Sequence, residues 1–208
     1  MNKINYQKKL DEIILSITEE GRVPSLLLHS CCAPCSSYCI EYLSEFFEIT
    51  VFYYNPNIFP KEEYFMRVAE QKRFISEFPT KHKVSFIEGD FDQDEYYQRV
   101  KGLEKEPEKG ARCEVCFDMR LSKTAELAKS NGFDFFTTTL TISPMKYASL
   151  LNEIGYRCAS KYGVEWLPSD FKKNNGYKRS TEISKEYSMY RQDYCGCVYS
   201  YQERQNNR

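Results

Sequence analysis

Short apolar runs alternating with longer stretches of helical spacing constrain this chain more than any other feature. Leu10, Ile13, Ile14 and Ile17 recur at helical spacing and Gly21 offers a stop, which predicts an amphipathic helix over 5–20. SLLLHS (25–30) reads as a short buried strand, and 34–45 as a helix with Pro34 tolerated in its first turn. EITVFYYNPN is a second strand closed by Asn-Pro, rich in β-branched and aromatic residues. A long helix over 61–77 carries Tyr64, Val68 and Phe74 on one side, followed by the strand KVSFIEG and the short helix DEYYQRVKG. The charged run LEKEPEKGAR reads as a solvated, mobile connection that substrate would order. A helix from Glu114 to about Ser130, the strand FDFFTTTL and a helix opened by Ser143-Pro144 complete the series. After Trp166 the pattern is less regular, aromatic and basic.

Strand, helix, strand, helix is the signature of an α/β fold with a Rossmann-like parallel sheet flanked by helices. The 208 residues suit one domain, 1–208, with about 166–208 as a C-terminal aromatic and basic helical appendage that completes the active site. A formal net charge of −1 gives no global attraction to nucleic acid or acidic lipid, although a local basic patch still can. The first twenty residues carry charges throughout and no apolar signal core, and no uncharged apolar run approaches the about 18 residues of a membrane span. A cytoplasmic protein with no membrane partner is expected.

In that setting the cysteines become informative, because a cytosolic chain of this size needs no disulfide staples. Eight of the nine fall in three groups: Cys31, Cys32, Cys35 and Cys39; Cys113 and Cys116; Cys195 and Cys197; Cys158 stands alone. The first group lies between strand 1 and its helix, where open α/β sheets bind ligands. HSCCAPCS contains no glycine, so a phosphate cradle is not expected there. A helix N-terminus favours thiolate, the form that binds metal. Adjacent Cys31 and Cys32 reach one metal only if the loop turns, and Cys35 is close enough to replace either. His29 reads as a satisfied strand histidine rather than a ligand.

Cys113-x-x-Cys116 fits zinc, an iron–sulfur centre or a dithiol. Its partner thiols lie some eighty residues upstream, across a whole α/β unit, so the site is assembled from distant loops as a functional centre. A disulfide between Cys195 and Cys197 would close a small strained ring around Gly196, and strained disulfides are labile ones suited to catalysis. The competing reading of that pair is a further set of metal ligands.

The three groups resemble the epoxyqueuosine reductases of the QueH type. The likeness runs from LLLHSCCAPCS through FYYNPNIFPKEEY, GARCEVCFDMRL and FTTTLTISPMK to FKKNNGYKRSTEISKEYSMYRQDYCGC. It implies a HUP-type sheet and an oxidoreductase that converts epoxyqueuosine in the tRNA anticodon to queuosine. It further implies a [4Fe–4S] cluster on Cys31, Cys32, Cys113 and Cys116, a redox-active pair at Cys195 and Cys197, and an additional mononuclear iron with unassigned ligands. Cys39 and Cys158 look incidental.

Removing an epoxide oxygen takes two electrons and two protons, whereas a [4Fe–4S] cluster passes electrons singly. A second redox element is therefore expected, together with an external electron donor. Asp118 and Tyr194 are the nearest proton donors in sequence, each more readily read as structural. A tRNA substrate needs positive surface, and Lys172, Lys173, Lys178, Arg179, Lys185 and Arg191 are interleaved with Tyr177, Tyr187 and Tyr190. Basic side chains with aromatics is how single-stranded loops are held, although Tyr187, Tyr190 and Tyr194 also fit the core face of a helix.

Three rivals remain. An ATP-dependent tRNA sulfurtransferase needs the glycine-rich loop that HSCCAPCS lacks. A zinc-binding RNA-interaction module leaves Cys-Gly-Cys unexplained, and a thioredoxin-like dithiol enzyme leaves Cys31 and Cys32 unexplained.

Overall fold

The computed structural model describes residues 4–206. Helix α1 (Tyr6–Glu19) starts at Asn5, whose side chain accepts from the Lys8 amide, and it buries Leu10, Ile14 and Ile17. Then follow β1 (Ser25–His29), α2 (Ala33–Leu43), β2 (Glu48–Tyr53), α3 (Lys61–Glu77), β3 (Val84–Glu88) and α4 (Gln93–Arg99). The second half comprises α5 (Ala111–Ser130), β4 (Phe135–Thr138), α6 (Ala148–Tyr162), β5 (Glu165–Trp166), α7 (Gly176–Glu186) and α8 (Val198–Asn206).

The five strands form one sheet in the order β3-β2-β1-β4-β5, with every pairing parallel. This is the Rossmann-like architecture expected from the alternation. β1 is buried on both faces: Leu26 and Leu28 join a core with α1, α2 and α7, while Leu27 joins one with α5 and α6. Double burial is why this strand reads as an unbroken apolar run. The chain winds outward from β1 through β2 to β3, then crosses back to place β4 on the other side of β1. The crevice beyond the carboxyl ends of β1 and β4 is therefore the topological switch point, the ligand position of such sheets. β5 is only two residues long, and its Trp166 lies against α6, where a Cβ at Gly155 would sit 2.2 Å from the indole.

Four local expectations are corrected. α5 starts at Ala111 rather than Glu114, which brings Cys113 into the helix together with Cys116. The charged run before it is organised by the chain itself, because the buried Arg112 guanidinium donates to the carbonyls of Glu104 and Glu106. α6 starts at Ala148 rather than Ser143: residues 143–146 make a turn in which the Ser143 hydroxyl accepts from Met145 and its carbonyl from Lys146. α7 ends at Glu186, and Ser188 has φ 49°, so Tyr187, Tyr190 and Tyr194 share no helix face.

Among the described residues, no helix is long and apolar enough to cross a membrane.

Candidate thiol and metal centre

β1 delivers its last residue, His29, to the floor of the switch-point crevice, and the chain then turns sharply. Cys32 caps α2 with an extended backbone (φ −175°), and Pro34 follows in the first turn, where its missing N–H costs nothing. The turn brings adjacent Cys31 and Cys32 together, with their sulfurs 3.8 Å apart. Cys35, one helical turn on, completes a group whose three sulfurs all lie within 4.8 Å of one another. Cys35, left unsettled by the sequence, thus stands beside the adjacent pair. A buried frame holds the loop: the Ser30 and Ser36 hydroxyls both donate to Gln71 Oε1, at 2.8 and 2.9 Å.

The three thiols share charge unequally. Hydrogen bonds from Cys32 and Cys35, with Arg120 and Lys146 nearby, hold Cys31 well below the usual thiol range. Donating to that thiolate pushes Cys32 up to about 11 and Cys35 well above its ordinary value. Three sulfurs this close together are a preformed soft-metal donor set, and a bound cation would favour the thiolate form of each.

Cys113 and Cys116 project from the first turns of α5. The Lys109 amide donates to Cys113 Sγ at 3.3 Å, and Arg120 Nη1 approaches Cys116 Sγ at 3.9 Å. Burial raises both thiols, Cys116 to about 12. Neither belongs to the three-thiol group. They neighbour the C-terminal pair instead: Cys195 and Cys197 contribute to both upward shifts, and Cys116 and Cys197 share a small buried cluster.

Between the two thiols of that pair, Gly196 has φ +121°, a conformation closed to side chains, and a Cβ there would lie 3.2 Å from Arg67 Nη1. Its carbonyl accepts from the Phe59 amide at 2.7 Å, which fixes the segment across the crevice. Burial raises the Cys195 thiol. All nine cysteines are free thiols.

Three cations that the sequence did not single out surround the thiols. Arg120, fully buried, donates from Nη2 to Asn55 Oδ1 and from Nε to His29 Nε2. His29 Nδ1 lies 2.8 Å from Thr138 Oγ1, and its Nε2 lies 3.2 Å from both Arg120 Nε and the Tyr54 carbonyl. Burial and then Arg120 depress this histidine to about 3, which keeps it neutral. It is the satisfied strand histidine expected from sequence. Arg67 pairs with Glu63 at 2.7 Å and stacks 5.4 Å from the Tyr194 ring. Lys146, on the turn after β4, is the third.

One cleft of about 400 Å³ is bounded by Cys31, Cys32, Cys35, Arg120, Lys146 and Cys195, with Gln192 donating to Cys32 Sγ at 3.2 Å. A smaller recess adjoins it through Lys146 and Cys195, with Cys113 in its wall. Of the proton-donor candidates, Asp118 is held by Arg157 at 2.7 Å on the surface, and the Tyr194 hydroxyl donates to the Phe59 carbonyl at 2.6 Å. Both are structural contacts.

Part of the basic segment is likewise spent inside the fold. Lys172 Nζ donates to the carbonyls of Thr141 and Lys146, Arg179 pairs with Glu41 and Glu186, and Tyr187 packs on Phe74. Lys173, Lys178, Lys185, Tyr177 and Tyr190 remain exposed. Cys39 is a core residue, and Cys158 packs beside Ser122.

Residues 26–203 match the family model described as "Epoxyqueuosine reductase QueH". Curated relatives carry the same name. One from Streptococcus pyogenes serotype M1 is 50% identical over 95% of this chain and 78% of its own length. One from Staphylococcus epidermidis is 45% identical over 95% of this chain and 85% of its own. A more distant one from Thermotoga maritima is 34% identical over 86% and 92%.

Proposed function

The chain belongs to the epoxyqueuosine reductase QueH family, and from that premise we propose that it reduces epoxyqueuosine in the tRNA anticodon to queuosine in the cytoplasm. The observation that carries the reading is the cleft, where Cys31, Cys32 and Cys35 from the β1 loop and Cys195 from the C-terminal segment face one opening, with Cys113 of α5 in the wall of the adjoining recess.

We assign Cys31, Cys32, Cys113 and Cys116 to a [4Fe–4S] cluster, with an additional mononuclear iron near it and Cys35 standing beside Cys31 and Cys32. The 3.8 Å approach of Cys31 to Cys32 supports this, as do the soft donors and the three cations, which suit a thiolate-rich anionic centre. When bound, such a cluster supplies electrons one at a time. Cys195 and Cys197 are the second redox element. Two thiols going to one disulfide release two electrons and two protons, which together with the epoxide oxygen make water and leave an alkene. An external reductant then restores the dithiol.

The chain acts as a single domain whose residues from about 166 onward complete the site. Supporting this, Gln192, Tyr194 and Cys195 line the cleft from that side. Exposed Lys173, Lys178 and Lys185, with Tyr177 and Tyr190, are the groups available to phosphates and splayed bases.

Two measurements test the reading: iron, acid-labile sulfide and zinc per chain on anaerobically purified protein, and conversion of an epoxyqueuosine-containing anticodon hairpin. About four irons and four sulfides, with iron in excess of sulfide and turnover to queuosine, are expected from the cluster stoichiometry. One zinc, no sulfide and no conversion would replace the reading with a zinc-binding RNA-interaction module.

A further inference from the structure

Lys146 is placed with care, and its ammonium faces the cleft thiols Cys195, Cys31 and Cys35 rather than a carboxylate. The turn that carries it is closed by the Ser143 hydroxyl and carbonyl, and is pinned from below by Lys172, whose Nζ donates to the Lys146 carbonyl at 3.3 Å and the Thr141 carbonyl at 2.9 Å. Lys172 in turn is 3.1 Å from Asp170. This arrangement fixes the Lys146 backbone at the rim of the switch point while its side chain reaches inward. It lines both the main cleft and the adjoining recess, next to Cys195 in each. Among the described residues its Nζ has no hydrogen bond and no carboxylate within ion-pair distance. Arg67 and Arg120, by contrast, are tied to Glu63 and Asn55.

We propose that Lys146 is a substrate-contacting catalytic residue: its ammonium hydrogen-bonds the epoxide oxygen and stabilises the charge that develops there as the C–O bonds break. The proposal deepens the functional reading above and rests on it. In the balanced step both C–O bonds break and a C=C bond forms. Cys195 and Cys197 become a disulfide, and their two protons leave on the oxygen as water. Lys146 keeps its own protons throughout and acts as a fixed electrostatic donor in a partly dehydrated cleft, where such a donor is most effective. Substrate and product differ by that one oxygen, so the same contact makes the enzyme prefer its substrate over its product and favours release after turnover.

The test uses holoenzyme and two anticodon hairpins, one carrying the epoxide and one the alkene. In Lys146→Met, kcat should fall about 100-fold, the scale for losing one oxyanion donor, with KM for the RNA little changed. Lys146→Arg should recover part of the rate. In a Cys197→Ala background, where turnover is blocked, the parent should bind the epoxide hairpin about tenfold more tightly than the alkene hairpin, and Lys146→Met should erase that preference. Iron content and visible absorbance should be unchanged in each variant.

Full kcat in Lys146→Met, or an equal epoxide preference with and without Lys146, would overturn the proposal. Loss of iron in Lys146→Met would overturn it too, by assigning the charge to the metal centre. A parent enzyme that leaves the epoxide intact would instead overturn the functional reading, and the two-hairpin comparison would still decide whether Lys146 senses the oxygen.

Discussion

The two ends of the cleft are built on opposite principles. The Cys31–Cys35 thiols sit on the switch point of the sheet, between a strand buried on both faces and a helix with proline in its first turn. The Cys195–Cys197 thiols sit on a segment between α7 and α8 with no helix or strand of its own, held by single contacts such as Phe59 to the Gly196 carbonyl and Gln192 to Cys32. A rigid frame suits ligands that must keep one geometry. A segment without helix or strand, held by side-chain contacts such as Tyr194 to the Phe59 carbonyl and Tyr190 to Glu63, can change those contacts without breaking a backbone ladder, which suits thiols that must change their bonding during a turnover.

The largest effects should separate the two ends by what is lost. Cys113→Ala is expected to lose iron, sulfide, visible absorbance and activity together. Cys197→Ala is expected to keep the absorbance and lose turnover. Retained turnover in Cys197→Ala would remove the redox role of that pair, and the contrast between the two ends with it.

The next effect probes the frame alone. A Cβ at position 155 meets the Trp166 indole at 2.2 Å, and a ring packed between α6 and β5 has no room to give way. Gly155→Ala should cost about 3 kcal/mol of stability, as overpacked cores do. That lowers the melting temperature on the order of 10 °C for a chain of this length. Iron per folded chain should stay at the parental level, since the clash lies in the core behind the sheet rather than in the cleft. A variant that melts normally but loses iron would mean the frame and the metal centre are not separable.

Gly196→Ala moves the probe to the other end. The positive φ penalises any side chain by about 1–3 kcal/mol, and the added methyl approaches Arg67. The expected signature differs from Gly155→Ala in turnover: a loss of melting temperature no greater than that variant's, unchanged iron and a clear fall in turnover, read by the rate of alkene formation.

The same contrast explains what could be read from sequence. The parallel sheet was legible because β1 must bury both faces, so Leu26, Leu27 and Leu28 run together, and because α1 and α3 carry their periodicity openly. The thiol groups were legible because cysteine clusters are rare and chemically narrow. Arg120, Arg67 and Lys146 were not. They lie far apart in sequence in helices and a turn, and nothing local distinguishes a buried arginine from a solvated one until the sheet order brings β1 and β4 together. The end of α7 was also hidden, because Tyr187, Tyr190 and Tyr194 satisfy a helical spacing that the chain abandons at Ser188. Arg179 and Lys172 looked like an RNA-facing charge for the same reason: their partners Glu41 and Thr141 are distant in sequence.

The smallest expected effect lies at the end of the sheet away from the thiols and tests whether the frame titrates independently of the centre. The Asp134 carboxylate accepts from the Ser25 hydroxyl at 2.7 Å and the Ser25 amide at 2.8 Å, joining the start of β1 to the turn before β4. The hydroxyl hydrogen bond, foremost, holds Asp134 below the usual carboxylate value. A depressed folded-state value contributes stability that is present above the unfolded-state pKa, about 3.9, and is lost as pH falls through the folded one. The side chain is largely exposed, so solvent screening keeps the contribution under about 1 kcal/mol. Asp134→Asn should therefore melt slightly below the parent at neutral pH, and the gap should close as the pH is taken below about 4. Turnover and iron content should not follow that titration. If they did, the two ends of the sheet would be coupled through β1 and β4, and the division between a rigid frame and a responsive C-terminal segment would have to be redrawn.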